Sequence, residues 1–451
     1  MTVASPGKKM GLVGATSLVV ANMVGTGLFL LPSSLAAIGS VSIYGWIVSA
    51  IGATALAVVF AHLGTYEPQA GGPYAYARDH MGPFAAFQTN FIYWGANVMG
   101  NVAIAVSVTG YLEVFFPVLK GPWFANVATI AVIWLFIALN TRGAKTVGGF
   151  TTVSTVAGIL PIAVVGALGW FWFKADVFVA GWNPEGVSTT EAVTNSASVA
   201  LWAFLGLESA AVSAGVIENP KRNVPLATVI GLVISTVIYV SCCTVMMGII
   251  PNEALRKSGA PFAEVSRMML GDWAAIMISL AAILKAAGSL VGWILIVAQS
   301  AKAAADDGLF ARRFGLVNEE GMPVVNLVVT GILMTILVVA TSSPNVATQF
   351  STITNATVVL MAIPYINSVV AMWRLNRATP SIPMPRRHLM RVLGVLACLY
   401  CIGVVLGQSP ELNRKALIVL LATVPFYALV RLYKQPSIRV DSPRGRSARA
   451  A

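Results

Sequence analysis

Runs of about 20 apolar residues recur along the whole chain. A run of that length crosses the hydrocarbon layer as a helix. About twelve such runs stand at 11–37, 41–62, 84–116, 123–140, 148–173, 192–216, 224–250, 273–300, 324–341, 348–373, 390–408 and 415–433. They are too many and too long for the core of a soluble protein. Composition agrees: 57% of the 451 residues are hydrophobic and 10% are charged, against roughly 25% charged in a soluble domain. The expectation is an all-α integral membrane protein. The opening MTVASPGKKM leads into an apolar stretch too long for a signal peptide and without a clean cleavage site, so it reads as a retained first span. Cys242, Cys243, Cys398 and Cys401 all lie within apolar runs and read as packing residues, although the last two spell C-x-x-C.

The net charge of +12 would suggest nucleic acid in a soluble protein. Here it reports topology. With the N-terminus in the cytoplasm, the inside segments hold Lys8, Lys9, Arg78, Arg142, Lys145, Lys221, Arg222, Lys302, Arg312 and Arg313. They also hold Arg374, Arg377, Arg386, Arg387, Arg391 and a basic tail over 434–451. The outside loops hold Lys120, Lys174, Arg256, Lys257, Arg267, Arg414 and Lys415. That bias places both termini in the cytoplasm. No nucleic-acid partner, metal or cofactor is expected. No P-loop occurs, which excludes ATP-driven pumping by this chain alone, and no ring of repeated charges suggests a channel. A secondary transporter is the expectation, with no catalytic residues.

Two spans carry internal weak points. The first has Gly25-Thr26-Gly27, with Asn22 one turn before. The sixth has Gly206, Glu208 and Ser209. Glycine weakens a helix and lets another group approach its backbone. Discontinuous helices five spans apart are a signature of five-helix inverted repeats that bind substrate at the breaks. Free N–H groups at a half-helix start can hold a carboxylate, and free carbonyls at a half-helix end can hold an ammonium. Glu208 and Lys285 are the charges set deep in the spans. Each costs on the order of 3 kcal/mol at the membrane centre, so each should face the protein interior.

The segments NMVGTGLFLLP, GGPYAYAR, YWGANVMGNVAIA, LWAFLGLESAAVSAGVIENPKRNVP, GSLVGW and AKAAADDGLF resemble the amino acid–polyamine–organocation transporters, and among them the basic amino acid/polyamine antiporters. The resemblance runs from about Gly11 to about Tyr433. It implies a cytoplasmic N-terminus over 1–10, a ten-helix inverted-repeat core over 11–373, two more helices over 374–433 and a basic tail beyond. It implies exchange of an amino acid for its decarboxylated amine across the inner membrane, with arginine/agmatine favoured. Lysine/cadaverine and ornithine/putrescine exchange are the alternatives, followed by proton-coupled uptake of a neutral amino acid and by a transporter-like sensor. A homodimer is implied by analogy.

By position, the family likeness assigns the substrate carboxylate to Gly25, Thr26 and Gly27, and the α-amino group to carbonyls at Ala21 to Met23 and near Leu205. Trp202 would cover the substrate, Trp293 would line its aliphatic part, and Asn101 would bond it or support the site. Asn22 either satisfies freed backbone or meets the substrate. Tyr93, Glu208 and Tyr365 would form an inner gate, with Glu208 proton-linked, and Tyr74 a cytoplasmic gate. Specificity falls to Asn97, Trp293, Thr357 and Lys285, with Ala96 a further substrate-binding candidate; Ile104 replaces a methionine of the family and Thr357 a serine. Asn97 stands where arginine exchangers have cysteine and is similar to the lysine/cadaverine members. Lys285 departs from the family pattern. It shares a helix stripe with Ser289 and Trp293. Three placements are open to it: the outer side of the site or the space between spans one and eight, a pair with Glu208 that would neutralise the site and favour a neutral substrate, or a backbone carbonyl or water with no functional role.

Overall fold

Within a hydrocarbon layer each backbone N–H and C=O needs a partner inside the protein, and a helix supplies both from one segment. The computed structural model describes residues 10–25, 27–67, 72–214 and 217–432. Thr26 lies outside them, as does the tail from Tyr433.

The first repeat-sized portion holds α1 (Leu12–Met23), α2 (Gly27–Ile38), α3 (Ser42–Tyr66), α4 (Gly72–Met81), α5 (Pro83–Leu112), α6 (Pro122–Asn140) and α7 (Ala144–Leu168). Next come α8 (Ala175–Ala180), α9 (Thr189–Phe204), α10 (Ser209–Val212), α11 (Pro220–Ile249), α12 (Asn252–Leu255) and α13 (Pro261–Leu270). The chain closes with α14 (Asp272–Asp306), α15 (Val324–Ala340), α16 (Val346–Ala378), α17 (Met384–Leu406) and α18 (Pro410–Leu432). Among the described residues, nine helices are long and apolar enough to cross a membrane. The pair α1 and α2 forms one further span, bent by 44° at its break. The 17-residue α15 and the interrupted α9–α10 segment fill the ninth and sixth places in the expected order.

Local chemistry fixes several helix starts. Ser188 caps α9 by accepting the Glu191 N–H at 3.2 Å, half of the S-x-x-E capping pattern. Asn345 caps α16, its Oδ1 accepting the N–H groups of Ala347 at 2.7 Å and Thr348 at 3.3 Å. Pro83 opens α5, where its missing N–H costs nothing. The connections between spans hold the short helices α4, α8, α12 and α13. At 1.5 Å per residue, the 35-residue α14 is roughly 52 Å long, so it reaches well past the hydrocarbon layer.

The two breaks meet at the centre. Gly206 has φ of +100°, a conformation that favours glycine. A Cβ there would stand 3.1 Å from the Asn22 carbonyl carbon. The sixth span therefore turns where it touches the end of α1. At the far end of the same pair of elements, Glu218 N–H donates to Met10 O at 2.8 Å. Helices α5 and α14 supply the remaining walls, and α16 packs against α5, α2 and α9.

Candidate substrate site

Between the breaks lies a cavity of about 30 Å³, lined by Asn22, Met23, Gly25, Gly27, Asn97, Gly100, Asn101, Ile104, Trp202, Leu205 and Trp293. That is room for about two water molecules, and too little for an amino acid. Trp202 is what fills it. A Cβ on Gly27 would stand 2.7 Å from the Trp202 Nε1, and one on Gly100 3.2 Å from the far edge of the same ring. The two glycines thus form the seat of the indole. Among the described residues, the Trp202 Nε1 is buried without a hydrogen-bond partner, and so are both side-chain polar atoms of Asn101. Unpaired buried polar groups are costly. Here three of them come from residues that line one cavity.

Most of the residues expected to bind substrate come together, with differences. Asn97 lines the cavity, and its Nδ2 donates to Tyr93 O at 2.7 Å. Its amide oxygen is left to receive a donor. The Gly25 N–H is not free for a carboxylate, because it turns back onto Met23 O at 2.7 Å. The start of α2 at Gly27 remains. Two of the three carbonyls expected for an α-amino group are also occupied. Ala21 O accepts from Lys285, and Met23 O accepts from the Tyr239 hydroxyl at 2.8 Å. Asn22 turns its Nδ2 to Ser209 Oγ at 2.8 Å, joining the two breaks. Thr357 is buried, but its hydroxyl donates to Ile353 O at 2.9 Å within α16, and neither it nor Ala96 lines the cavity. Cβ geometry puts the Thr357 methyl beside Gly100, at the edge of the Trp202 seat.

Glu208, 1% exposed, is held by three donors. The Tyr365 hydroxyl donates at 3.0 Å, the Tyr93 hydroxyl at 3.4 Å and the Gly206 N–H at 3.2 Å. The expected gate residues are therefore in contact. Glu208 and Tyr93 also line a second cavity of about 310 Å³, which runs between α1, α7, α10 and α14 past Asn22, Thr151, Ser209 and Trp293. Trp293 and Asn22 border both cavities, so one wall is shared by the central site and the larger space.

Lys285 is equally buried, at 1% exposed. Its Nζ donates to Ser289 Oγ at 2.7 Å and to Ala21 O at 3.1 Å. The ammonium thus sits near the carbonyl end of α1, where the helix dipole favours positive charge. Gly158 of α7 makes the space, since a Cβ there would stand 2.3 Å from the Lys285 Cβ. Of the placements open to Lys285, the one between spans one and eight is observed, with a backbone carbonyl as one of its two partners. No ion pair with Glu208 exists among the described residues.

Tyr74 lies away from the centre. Its hydroxyl donates to Asp307, and Arg78 Nη1 donates to the same carboxylate at 3.0 Å. These contacts bind α4 to the end of the long α14. Asp307 and Tyr239 were not singled out by the sequence. Asp307 follows another aspartate in a polar stretch, and only the length of α14 brings it to Tyr74.

The model of the family described as amino acid permease matches residues 10–428. The chain belongs to the amino acid permease family. The permease is 37% identical over 443 residues to the cadaverine/lysine antiporter of Escherichia coli (strain K12), which covers 97% of this chain and 98% of that protein. It is 36% identical over 396 residues to the putrescine transporter PotE of Haemophilus influenzae, covering 87% and 91%. It is 33% identical over 422 residues to PotE of Escherichia coli (strain K12), covering 94% and 96%. The family expected from the motifs is thereby shown. The permease is a multi-pass membrane transport protein and not an enzyme. None of these relatives is named for arginine or agmatine, which the sequence reading had favoured.

Proposed function

We propose that the permease exchanges a basic amino acid for its decarboxylated diamine, with lysine and cadaverine as the pair. The observation that carries this reading is the central cavity, where acceptor and unpaired polar groups converge between two helix breaks. The α2 start at Gly27 receives the carboxylate, with Thr26 as the further expected donor. The α-amino group goes to the carbonyls left free near Asn22 and Leu205. The chain's distal ammonium, a donor only, meets the Asn97 amide oxygen and Asn101. The likeness to the cadaverine/lysine antiporter supports lysine over arginine, and Asn97 points the same way.

Entry of substrate moves Trp202 off Gly27 and Gly100, which opens the cavity. Exchange follows because the loaded carrier rocks around a midplane site while the empty one crosses slowly. Tyr93, Glu208 and Tyr365 form the latch between the central cavity and the larger one. Tyr74 with Asp307 and Arg78 forms an outlying latch on the basic side. That side is the cytoplasm, with both termini there, in the inner membrane. Lys285 serves as a fixed internal cation that ties α1 to α14. With no Glu208–Lys285 pair among the described residues, Glu208 is not already matched by a cation of the protein, which favours basic over neutral amino acids.

The test is counterflow in liposomes. Vesicles loaded with cadaverine should take up labelled lysine at least tenfold faster than empty vesicles. Arginine and leucine should compete weakly. Equal uptake by loaded and empty vesicles would overturn exchange, and agmatine outperforming cadaverine would overturn the pair.

A further inference from the structure

The face opposite the basic loops carries a cavity of its own, of about 430 Å³. Its walls come from three connections that are far apart in sequence: the end of α5 with Glu113 and Lys120, the α12–α13 region with Lys257, Ser258, Glu264 and Arg267, and the start of α16 with Asn345. Its floor is the seal above the central site. The Tyr111 hydroxyl donates to Phe29 O of α2 at 3.1 Å and accepts the Phe262 N–H at 3.3 Å. Ser33 of α2 donates to Ser258 O at 2.9 Å. Gly110 and Gly259 pack so closely that a Cβ on Gly110 would stand 2.4 Å from the Gly259 carbonyl.

Two carboxylates face this space with no ion pair to a described residue. Glu264 accepts from Ser258 Oγ at 2.6 Å, the same serine whose carbonyl holds α2. Glu113 lies against Gly259, where a Cβ would stand 3.2 Å from its Oε2. The basic groups nearby are otherwise engaged or at the rim. Arg267 pairs with Asp272 at 2.7 Å, and Lys257 lies 3.7 Å from Glu253. Lys120 is the cation that faces both glutamates. The cavity thus offers carboxylate acceptors from two separate elements, directly over the closed seal and linked to it through Ser258.

We infer that this cavity is an entrance site that holds the alkylammonium group of an incoming amine or basic amino acid between Glu113 and Glu264. The substrate class rests on the exchange reading above. Occupation gives the two carboxylates the direct ion-pair contact that Lys120, facing both from a distance, does not make with either among the described residues. Because Glu264 shares Ser258 with the tie to α2, a bound ammonium also competes for the group that helps hold the seal.

Burial pushes the Glu113 carboxyl up to about 7, with Lys120 opposing, and pushes Glu264 up as well, against Ser258, Arg267 and Lys120. The carboxylate is the form that binds an ammonium. Binding from this face therefore strengthens as pH rises through 7 and fades below it.

Two readouts test the site. The first is labelled cadaverine binding to the purified full-length protein in detergent at pH 8. The wild type should bind two molecules per chain, and a Glu113→Gln/Glu264→Gln double variant one. One molecule per chain in both would overturn the inference. The second compares intact cells with inside-out membrane vesicles. Glu113→Gln should raise the external KM at least threefold, leave the internal KM unchanged and flatten the external pH dependence. An equal rise on both faces, or an unchanged pH profile, would contradict it. Loss of counterflow in the wild type would instead count against the exchange reading, since the binding stoichiometry is measured without transport.

Discussion

Glu208 and Lys285 are both 1% exposed and both lie deep in membrane-spanning segments, yet the protein handles them differently. Glu208 sits in the break of the sixth span and receives donors from α5, α16 and its own turn. It also borders the large cavity. Lys285 sits within the continuous α14, away from both cavities, and is held by one carbonyl and one hydroxyl. The lesson is that a buried charge in this fold can be placed on the route or beside it. In the proposed exchange, the donors around the acid rearrange when a cation passes, and the base links two elements that move relative to one another.

The largest expected effect breaks the Glu208 side. Glu208→Ala strands two buried tyrosine hydroxyls, and each buried polar group left unsatisfied costs about 1–3 kcal/mol. Counterflow should fall at least a hundredfold, and Glu208→Gln, which keeps the shape, at least tenfold. Near-normal flux in Glu208→Gln would remove the carboxylate from the route.

Lys285→Met sharpens the contrast. Replacing a buried charge by an apolar side chain of similar volume is often neutral or stabilising. The variant should keep its melting temperature or gain a few degrees, while exchange slows about tenfold and its pH dependence changes. Unchanged rate, selectivity and pH profile would leave Lys285 with no role in transport. Gly206→Ala acts on the joint between the two breaks. A side chain at φ of +100° beside Asn22 is strained, at about 1–2 kcal/mol. A drop of several degrees in melting temperature, with flux reduced about fivefold, is expected in a thermal scan paired with counterflow.

Tyr365→Phe is the mildest change. It removes the 3.0 Å hydrogen bond to Glu208 and leaves two donors. Removing one donor from a buried carboxylate costs about 1–3 kcal/mol, and a threefold to tenfold loss of rate with an intact fold is the outcome to look for. A larger loss than in Glu208→Gln would mean the tyrosine, rather than the acid, carries the latch.

Much of this was legible in the sequence. Span order followed from the apolar runs, and the breaks from Gly25, Gly27 and Gly206 beside Glu208. Contacts set by three-dimensional register were not. Nothing local in the sequence says that Tyr239 takes Met23 O, or that Gly25 folds its N–H onto Met23. Those two bonds remove partners that the break seemed to offer a substrate. Asp307 was missed because its partner Tyr74 lies more than 200 residues away. Lys285 shows the middle case. Its burial and its stripe with Ser289 could be read from spacing, whereas the choice between Ala21 and Glu208 needed the packing of α7, where Gly158 clears the way.

On the proposed function, Glu208 and the cavity between the two breaks make this chain an exchanger of a basic amino acid with its diamine. Counterflow of labelled lysine into cadaverine-loaded liposomes, for wild type and Glu208→Gln side by side, tests it most directly. The account predicts strong stimulation by internal cadaverine in the wild type and at least a tenfold loss in the variant. Lysine uptake that is indifferent to internal cadaverine, or equal in both proteins, would contradict it.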